Sequence, residues 1–462
     1  MCGIFGVFGN TIDPKQAERS FDQIVHRGKD GLGKIVERDK ALFHCLHAIV
    51  GHVKQPFVSG PSTFMTNCEI YNWQELNAKY KLHARNDAEL LFLLLEKKGL
   101  SCLNELDGVY AFFYQKGNIV HLARDSIGEK SLCYVFENGT FAFASEGKAL
   151  ASYGRSQFLL PTEILSYDIT TFKIKKEQRA FFTLPRETKE SKEKILAELE
   201  EKLFFAVAKR LEGIDHWGIL FSGGIDSTLL AFISKKLGKK FICYTAAFAD
   251  GNTRDAPDLL QAQEVAETLG FALKTKILTL DETEKAVREV VRIIETSDVV
   301  KVGVALPFYV CSTMAAADGC KVLLSGLGSE ELFAGYQRHL DVLKDKGDVN
   351  AECLRGLSLL WDRDLYRDDV VTMAHTVELR LPFLDYDLIR CALAVPAKYK
   401  INEEQNKVIL REVAQRIGVS SSFACRKKIA AQYGSNFDKA LEKLAKKHGL
   451  KSKKEYLSSL KK

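Results

Sequence analysis

Between residues 217 and 325 short apolar runs alternate with amphipathic helical stretches, a pattern that limits this part of the chain to a parallel sheet covered on both faces. Strands are expected over Trp217–Phe221, Phe241–Ala247, Leu273–Leu278 and Lys321–Ser325, with helices over Thr228–Leu237, Ala256–Leu269 and Glu282–Glu295 between them. From about Arg355 onward the pattern is mainly helical. Ligands of such sheets sit at the carboxyl ends of the strands. The first of those ends carries Ser222-Gly223-Gly224-Ile225-Asp226-Ser227. Glycines let backbone N–H groups approach an anion, serines add hydroxyl donors, and the following helix adds its positive end. An aspartate in a phosphate cradle makes sense if it holds a cation such as Mg²⁺. The Gly-Lys-Ser/Thr ending of an ordinary P-loop is missing.

The first part of the chain, to about Tyr167, has another texture. Apolar runs at Gly3–Phe8, Ala41–Val50, Ser62–Asn67, Tyr110–Tyr114, Ile119–Ala123 and Phe141–Ala144 are punctuated by Gly, Asn and Asp, as in a β-rich layered domain. Helices are expected over Gln16–Val25, Trp73–Tyr80 and Asp87–Lys97, the last opening at a capping Asn86 or Asp87. A Lys/Glu-rich stretch from Thr188, with Ile195, Leu199, Leu203 and Val207 on one face, marks a long helix opening a second domain. The boundary falls near residues 175 to 190, and at 462 residues two cores are the natural expectation.

Cys2 is the second informative feature. Loss of Met1, which a small second residue permits, places a thiol and a free α-amine on one residue, and an amine with a pKa of about 7.7 to 8.0 can take the thiol's proton. The eleven cysteines are scattered singly, without Cys-x-x-Cys pairs or nearby paired histidines of zinc spacing, so neither a disulfide framework nor structural zinc is expected. There is no charged start followed by a long apolar stretch, and no uninterrupted run approaches the ~18 apolar residues of a spanning helix, which points to a reducing cytoplasm and no membrane. The net charge of +6 argues only weakly for anionic partners. The Lys-rich tail, Lys439 to Lys462, reads as one amphipathic helix built on Leu441, Leu444 and Ala445 with a solvated face, rather than a nucleic-acid site.

Phe221 followed by SGGIDS resembles the pyrophosphate loop of ATP pyrophosphatases. Cys2-Gly3-Ile4, His26-Arg27-Gly28 with Asp30, and Asn67-Cys68-Glu69-Ile70-Tyr71-Asn72 resemble the class II glutamine amidotransferase domain. Both halves in this order, with Ser325 to Glu331 and Arg380-Leu381-Pro382-Phe383-Leu384-Asp385, resemble the glutamine-hydrolysing asparagine synthetase family over nearly the whole chain. Phe333 to His339 and Lys428 to Gly434 are instead closer to the asparagine-synthetase-domain-containing proteins, a related group.

The resemblance implies an Ntn-type αββα sandwich over residues 1–180, then an α/β parallel-sheet ATP-pyrophosphatase domain with a helical C-terminal part over 187–462. It implies Cys2 as nucleophile, with Asn67 and the backbone N–H of Cys68 as the oxyanion hole. Glutamine would be bound by Leu46, Ile49, Val50, Asn67, Glu69 and Asp87. ATP and pyrophosphate would be bound by Leu220, Ser222, Gly223, Gly224, Asp226, Ser227, Ala246, Ser325, Gly326 and Lys428, with Lys427 the rival for the last. Mg²⁺ would sit on Asp226 and Glu330. The expected substrates are glutamine, aspartate and ATP. Ammonia would pass internally, and a homodimer is implied by resemblance alone.

Four departures from the family pattern stand out. Cys68 replaces a glycine and Glu330 an aspartate. Leu46 stands where an arginine pairs with the glutamine carboxylate, and since an apolar side chain cannot do so, either His47 or another cation substitutes or the domain handles glutamine poorly. Leu327 replaces a glutamate that takes a proton as ammonia attacks. The alternatives are therefore an acceptor carboxylate other than aspartate, or a nucleotide-binding regulatory protein without turnover.

Overall fold

A computed structural model describes residues 2–251, 255–426 and 430–460. They divide into two compact units, residues 1–181 with 373–376, and residues 182–372 with 377–462.

In chain order the strands of the first unit are β1 (Gly3–Phe8), β2 (Gly31–Val36), β3 (Lys40–Leu46), β4 (Phe57–Ser59), β5 (Ser62–Ile70), β6 (Gly108–Lys116), β7 (Ile119–Arg124), β8 (Cys133–Glu137), β9 (Thr140–Ala144), β10 (Gln157–Phe158), β11 (Glu163–Asp168) and β12 (Lys173–Gln178). They form two six-stranded sheets, ordered β10-β8-β9-β1-β3-β2 and β12-β11-β7-β6-β5-β4. Ile4, Phe8, Leu42 and Phe143 of one sheet meet Met65, Phe113, Leu122 and Leu165 of the other. On the outer faces, Ala17 and Phe21 of the helix Pro14–Asp22 pack on Phe5, Val7 and Phe43. Leu91, Leu94 and Leu95 of the helix Asp87–Lys98 pack on Phe64, Ile70 and Phe112. The result is a four-layered αββα sandwich. β1 is apolar at every position because it is covered on both faces: Ile4 and Phe8 enter the middle core, Phe5 and Val7 the outer one.

Two local expectations change. The strand read as Ala41–Val50 ends at Leu46, because the Ala48 N–H leaves the ladder and donates to Asp30 Oδ2 at 2.7 Å. The helix read as Gln16–Val25 starts at Pro14 behind its Asp13 cap and stops at Asp22, with a separate 3₁₀ turn over Val25–Arg27.

The second unit holds β13 (Trp217–Leu220), β14 (Ile242–Phe248), β15 (Leu273–Leu278), β16 (Val322–Leu324) and β17 (Glu378–Arg380), parallel throughout and ordered β15-β14-β13-β16-β17. The chain builds outward from β13 to β15 and then returns to the other side of β13. The order therefore reverses between β13 and β16, where open α/β sheets form their ligand crevice. The helix Lys192–Arg210, capped by Ser191, buries Ile195, Leu199, Leu203 and Val207 as its period requires.

A helix absent from the sequence reading spans Val299–Ala317 and buries Val302, Ala305, Leu306 and Val310. Among the described residues it is the one helix long and apolar enough, by length and composition, to cross a membrane, and 44% of its most apolar window is buried within the protein. The Lys-rich tail is two helices, Phe437–Lys447 and Lys453–Ser459, not one. Gly449 breaks them with φ 67. Their lysines meet acids of the same unit: Lys447 lies 2.7 Å from Asp281 and 3.0 Å from Glu284, and Lys443 pairs with Asp250.

Candidate active sites

In the first unit β1 carries Cys2 to the edge of the sandwich. The Cys2 backbone N–H donates to Asn67 Oδ1 at 2.9 Å, and Cys2 O accepts from Arg27 Nε at 3.2 Å. Arg27 is buried and donates to Glu146 at 2.7 Å, with Lys148 beside the same carboxylate at 2.6 Å. Burial opposes ionisation of Glu146, but Lys148 and Arg27 outweigh it and hold the carboxyl well below the usual range. The glycines around Cys2 exist for close approach. A Cβ on Gly3 would stand 2.7 Å from Cys45 Sγ, and one on Gly28 would stand 2.6 Å from the Cys45 backbone. Asp30 organises the following turn by accepting from Ala48 N, with His47 Nδ1 3.8 Å away.

Asn67, Cys68 and Glu69 are consecutive on β5, paired with Ala111, Tyr110 and Val109 of β6. Asp87, the first residue of its helix, accepts from Ile70 N at 3.1 Å and from Cys68 Sγ at 3.6 Å. Of the predicted residues, the structure joins Cys2 to Asn67 and sets the half-buried Cys68 against the buried Asp87 at 3.6 Å, while Glu69 is buried next to them on β5. Burial, followed by the Asp87 charge, pushes the Cys68 thiol well above its ordinary pKa, and burial raises Cys45 to about 12. Both stay protonated at neutral pH. Leu46 is buried at the end of β3, and Ile49 and Val50 are half-buried in the bend after it.

In the second unit the turn after β13 is held by its own serines. Ser222 N donates to Ser227 Oγ at 3.3 Å, and Gly224 N donates to Ser222 Oγ at 3.3 Å. Gly223 has φ 70, and a Cβ there would lie 2.7 Å from the Gln261 backbone. Leu220 ends β13, and Ala246 is buried on β14. The turn after β16 supplies Ser325, whose N–H donates to Arg380 O at 3.2 Å and whose Oγ accepts from Leu327 N at 3.3 Å. Gly326 allows the two turns to touch, since a Cβ there would stand 2.6 Å from Asp226 Cβ.

At that contact lies a residue the sequence reading missed. Lys407 Nζ is 2.6 Å from Asp226 Oδ1, 3.0 Å from Glu330 Oε2 and 2.9 Å from Ser329 Oγ. A lone lysine in the charged stretch Glu403–Lys407 reads as solvated, and no spacing in the sequence links it to Asp226. The two expected metal ligands are therefore both within reach of one cation. Two hard carboxylates suit Mg²⁺ if phosphates and water complete its shell, provided the ammonium leaves. Among the described residues no group of three or more His, Cys, Asp or Glu side chains could hold a metal by itself. Lys428 and its rival Lys427 lie outside the described residues.

The Arg380–Asp385 motif is structural. Arg380 on β17 donates to Arg210 O at 2.7 Å and to Glu378 at 2.8 Å, while Asp385 caps the next helix and accepts from Arg210 at 3.0 Å.

Comparison with known proteins follows the same division. The glutamine amidotransferase domain model matches residues 1–197, and the asparagine synthase model matches residues 198–348 and 342–460. "Putative asparagine synthetase (glutamine-hydrolyzing) 1" of Methanocaldococcus jannaschii is 34% identical, the match covering 100% of this chain and 99% of that protein.

The chain belongs to the glutamine-hydrolysing asparagine synthetase family.

Other members include asparagine synthetase B of Escherichia coli K12, 30% identical over 89% of this chain and 78% of its own length. The Zea mays asparagine synthetase is also 30% identical, over 87% and 71% respectively. Among solved structures, the glutamine phosphoribosylpyrophosphate amidotransferase of B. subtilis aligns with 61% of the chain at 14% identity and a TM-score of 0.37, too slight a likeness to carry weight. Of the four residues read as departures from the family pattern, Cys68 lies against Asp87, Glu330 beside Lys407 and Leu327 against Ser325, while Leu46 is buried at the end of β3.

Proposed function

We propose that the chain makes asparagine from aspartate, ATP and glutamine, with residues 1–180 releasing ammonia and residues 187–462 consuming ATP. The observation that carries this is the pairing, in one member of the family, of a Cys2 held by Asn67 with an SGGIDS turn at the switch point of a parallel sheet.

Once Met1 is removed, the Cys2 thiol attacks the glutamine side-chain amide and passes its proton to its own α-amine. The amide nitrogen takes that proton and leaves as ammonia, and water then hydrolyses the thioester to glutamate. Because Asn67 Oδ1 accepts from Cys2 N, the NH₂ of that amide turns away from Cys2, and it would meet the developing oxyanion together with the Cys68 N–H. Glu69 and Asp87 would receive the substrate's α-amine. Asp87 already accepts from Ile70, Cys68 and Ala88, which fixes its carboxylate at the start of its helix.

In the second unit Ser222, Gly223, Gly224 and Ser227 would bind the leaving pyrophosphate, Leu220, Ala246, Ser325 and Gly326 the nucleoside, and Lys428 would add charge. Asp226 and Glu330 would hold Mg²⁺, which when bound offsets phosphate charge. The aspartate side-chain carboxylate attacks the α-phosphate, pyrophosphate leaves, and ammonia displaces AMP. The eleven cysteines form no disulfide, which accords with a reducing cytoplasm.

Leu327 favours one second reading, an acceptor other than aspartate, because it lies in the ATP-side turn and its own side chain can accept no proton. The test is pyrophosphate release from ATP across a panel of carboxylates, with asparagine followed in parallel. Aspartate alone driving release supports asparagine synthesis; release with another carboxylate and not with aspartate supports the second reading.

A further inference from the structure

Lys407 is built into its position. Its stem passes over Gly335, where a Cβ would stand 2.4 Å from Lys407 Cε and 1.6 Å from Glu330 Oε2, so glycine is what admits the pair. The backbone of Lys407 has φ 53, a left-handed conformation seldom adopted by residues with a Cβ, and the preceding Asn406 is tied to Gly335 O at 2.8 Å. The ammonium is almost wholly buried, as are both carboxylates beside it. The neighbouring guanidinium of Arg411 is directed elsewhere, to the carbonyls of Ala424 at 2.6 Å and Arg426 at 2.9 Å.

A Mg²⁺ ion bonds its oxygens at about 2.0–2.1 Å. An ion bridging Asp226 Oδ1 and Glu330 Oε2 would fall in the space held by Lys407 Nζ, 2.6 and 3.0 Å from those same atoms. Two cations cannot share it, and like charges at that separation repel strongly in a buried site. The lysine has a second class of partner close by, since Asp226 lies inside the turn proposed to bind phosphate, and an ammonium on a flexible stem is suited to phosphate oxygens.

We propose that Lys407 is a resident counter-ion which the divalent cation must displace: it holds Asp226 and Glu330 together without nucleotide and moves onto the phosphates when Mg·ATP enters. This rests on the ATP chemistry proposed above. Its consequence is that the site takes up divalent cation with nucleotide and rejects the cation alone. Lys407 is thus a positioning residue that couples metal to nucleotide.

The test is a Mn²⁺ titration of the full chain without nucleotide, with free Mn²⁺ read by electron paramagnetic resonance. Lys407→Met and Lys407→Gln, with folding checked by circular dichroism, are expected to bind Mn²⁺ tighter than the unaltered chain by on the order of tenfold or more. Adding Asp226→Asn to Lys407→Met is expected to remove that binding. Equal affinity in the unaltered chain and the folded variants overturns the proposal. If neither variant folds, the unaltered chain decides: tight Mn²⁺ uptake without nucleotide overturns the proposal, and its rejection upholds it. A separate arm with α,β-methylene-ATP tests the ATP chemistry itself. Failure to bind that nucleotide would refute the proposed function while leaving the metal-only result to judge Lys407.

Discussion

Asn67 Oδ1 accepts the backbone N–H of Cys2 at 2.9 Å, joining two residues 65 positions apart. The bond fixes both the nucleophile's main chain and the orientation of the amide beside it. Asn67→Ala is expected to lower glutamine hydrolysis about 10²–10³-fold, the usual cost of one oxyanion donor, while leaving asparagine formation from ammonium unchanged. Glutamate release and ammonium-driven synthesis are measured side by side. Equal losses in both would mean that Asn67 acts on the fold rather than on the reaction.

Leu46 offers the glutamine carboxylate no charge. Leu46→Arg is expected to lower the KM for glutamine about tenfold with little change in kcat, as a new charge-assisted contact worth ~1.5 kcal/mol would do. An unchanged KM in a folded variant would show that another group already binds the carboxylate.

Gly326 lets the two turns of the ATP site approach closely. Gly326→Ala would put a Cβ 2.6 Å from Asp226 Cβ, a clash between atoms that neither side chain can rotate away. Pyrophosphate formation is expected to collapse and stability to fall by about 1–3 kcal/mol, with glutaminase activity retained. Thermal unfolding together with the two half-reactions checks this, and normal pyrophosphate formation would contradict the contact.

His44, buried on β3, is pushed down to about 3 by its burial, against a raising contribution from the Thr66 backbone. An unfolded histidine titrates near about 6.5, so between that value and the folded one the unfolded chain holds the extra proton. The stability due to neutral His44 is therefore complete above about pH 6.5 and is lost as pH falls toward the folded value. His44→Gln is expected to flatten that part of the stability curve, read by denaturant unfolding between pH 7 and 4. A histidine NMR signal assigned to His44 that titrates near 6 would contradict it.

What could be read from the sequence divides along physical lines. β13, β14 and β15 are legible because apolar runs bounded by turn residues must alternate with helices to bury both faces of a sheet. β17 is not, since Glu378 and Arg380 look like surface charges and become core residues by pairing with each other at 2.8 Å. The helix Val299–Ala317 escapes a periodicity reading because apolar residues lie all around it. In the sites, Cys2, Asn67 and the SGGIDS turn announce themselves by residue type and local spacing. Lys407 lies 181 positions from Asp226 and meets it through the tertiary fold alone. The contact of Cys68 with Asp87 is of the same kind.

The most direct test of asparagine synthesis is nitrogen transfer. The protein is incubated with ATP, Mg²⁺, aspartate and glutamine labelled with ¹⁵N in its side-chain amide, and the products are read by mass spectrometry and a pyrophosphate assay. The account predicts asparagine carrying ¹⁵N in its side-chain amide, with AMP and pyrophosphate formed in equal amount. Pyrophosphate without asparagine, or label that ends only as free ammonium while aspartate is unchanged, would contradict it.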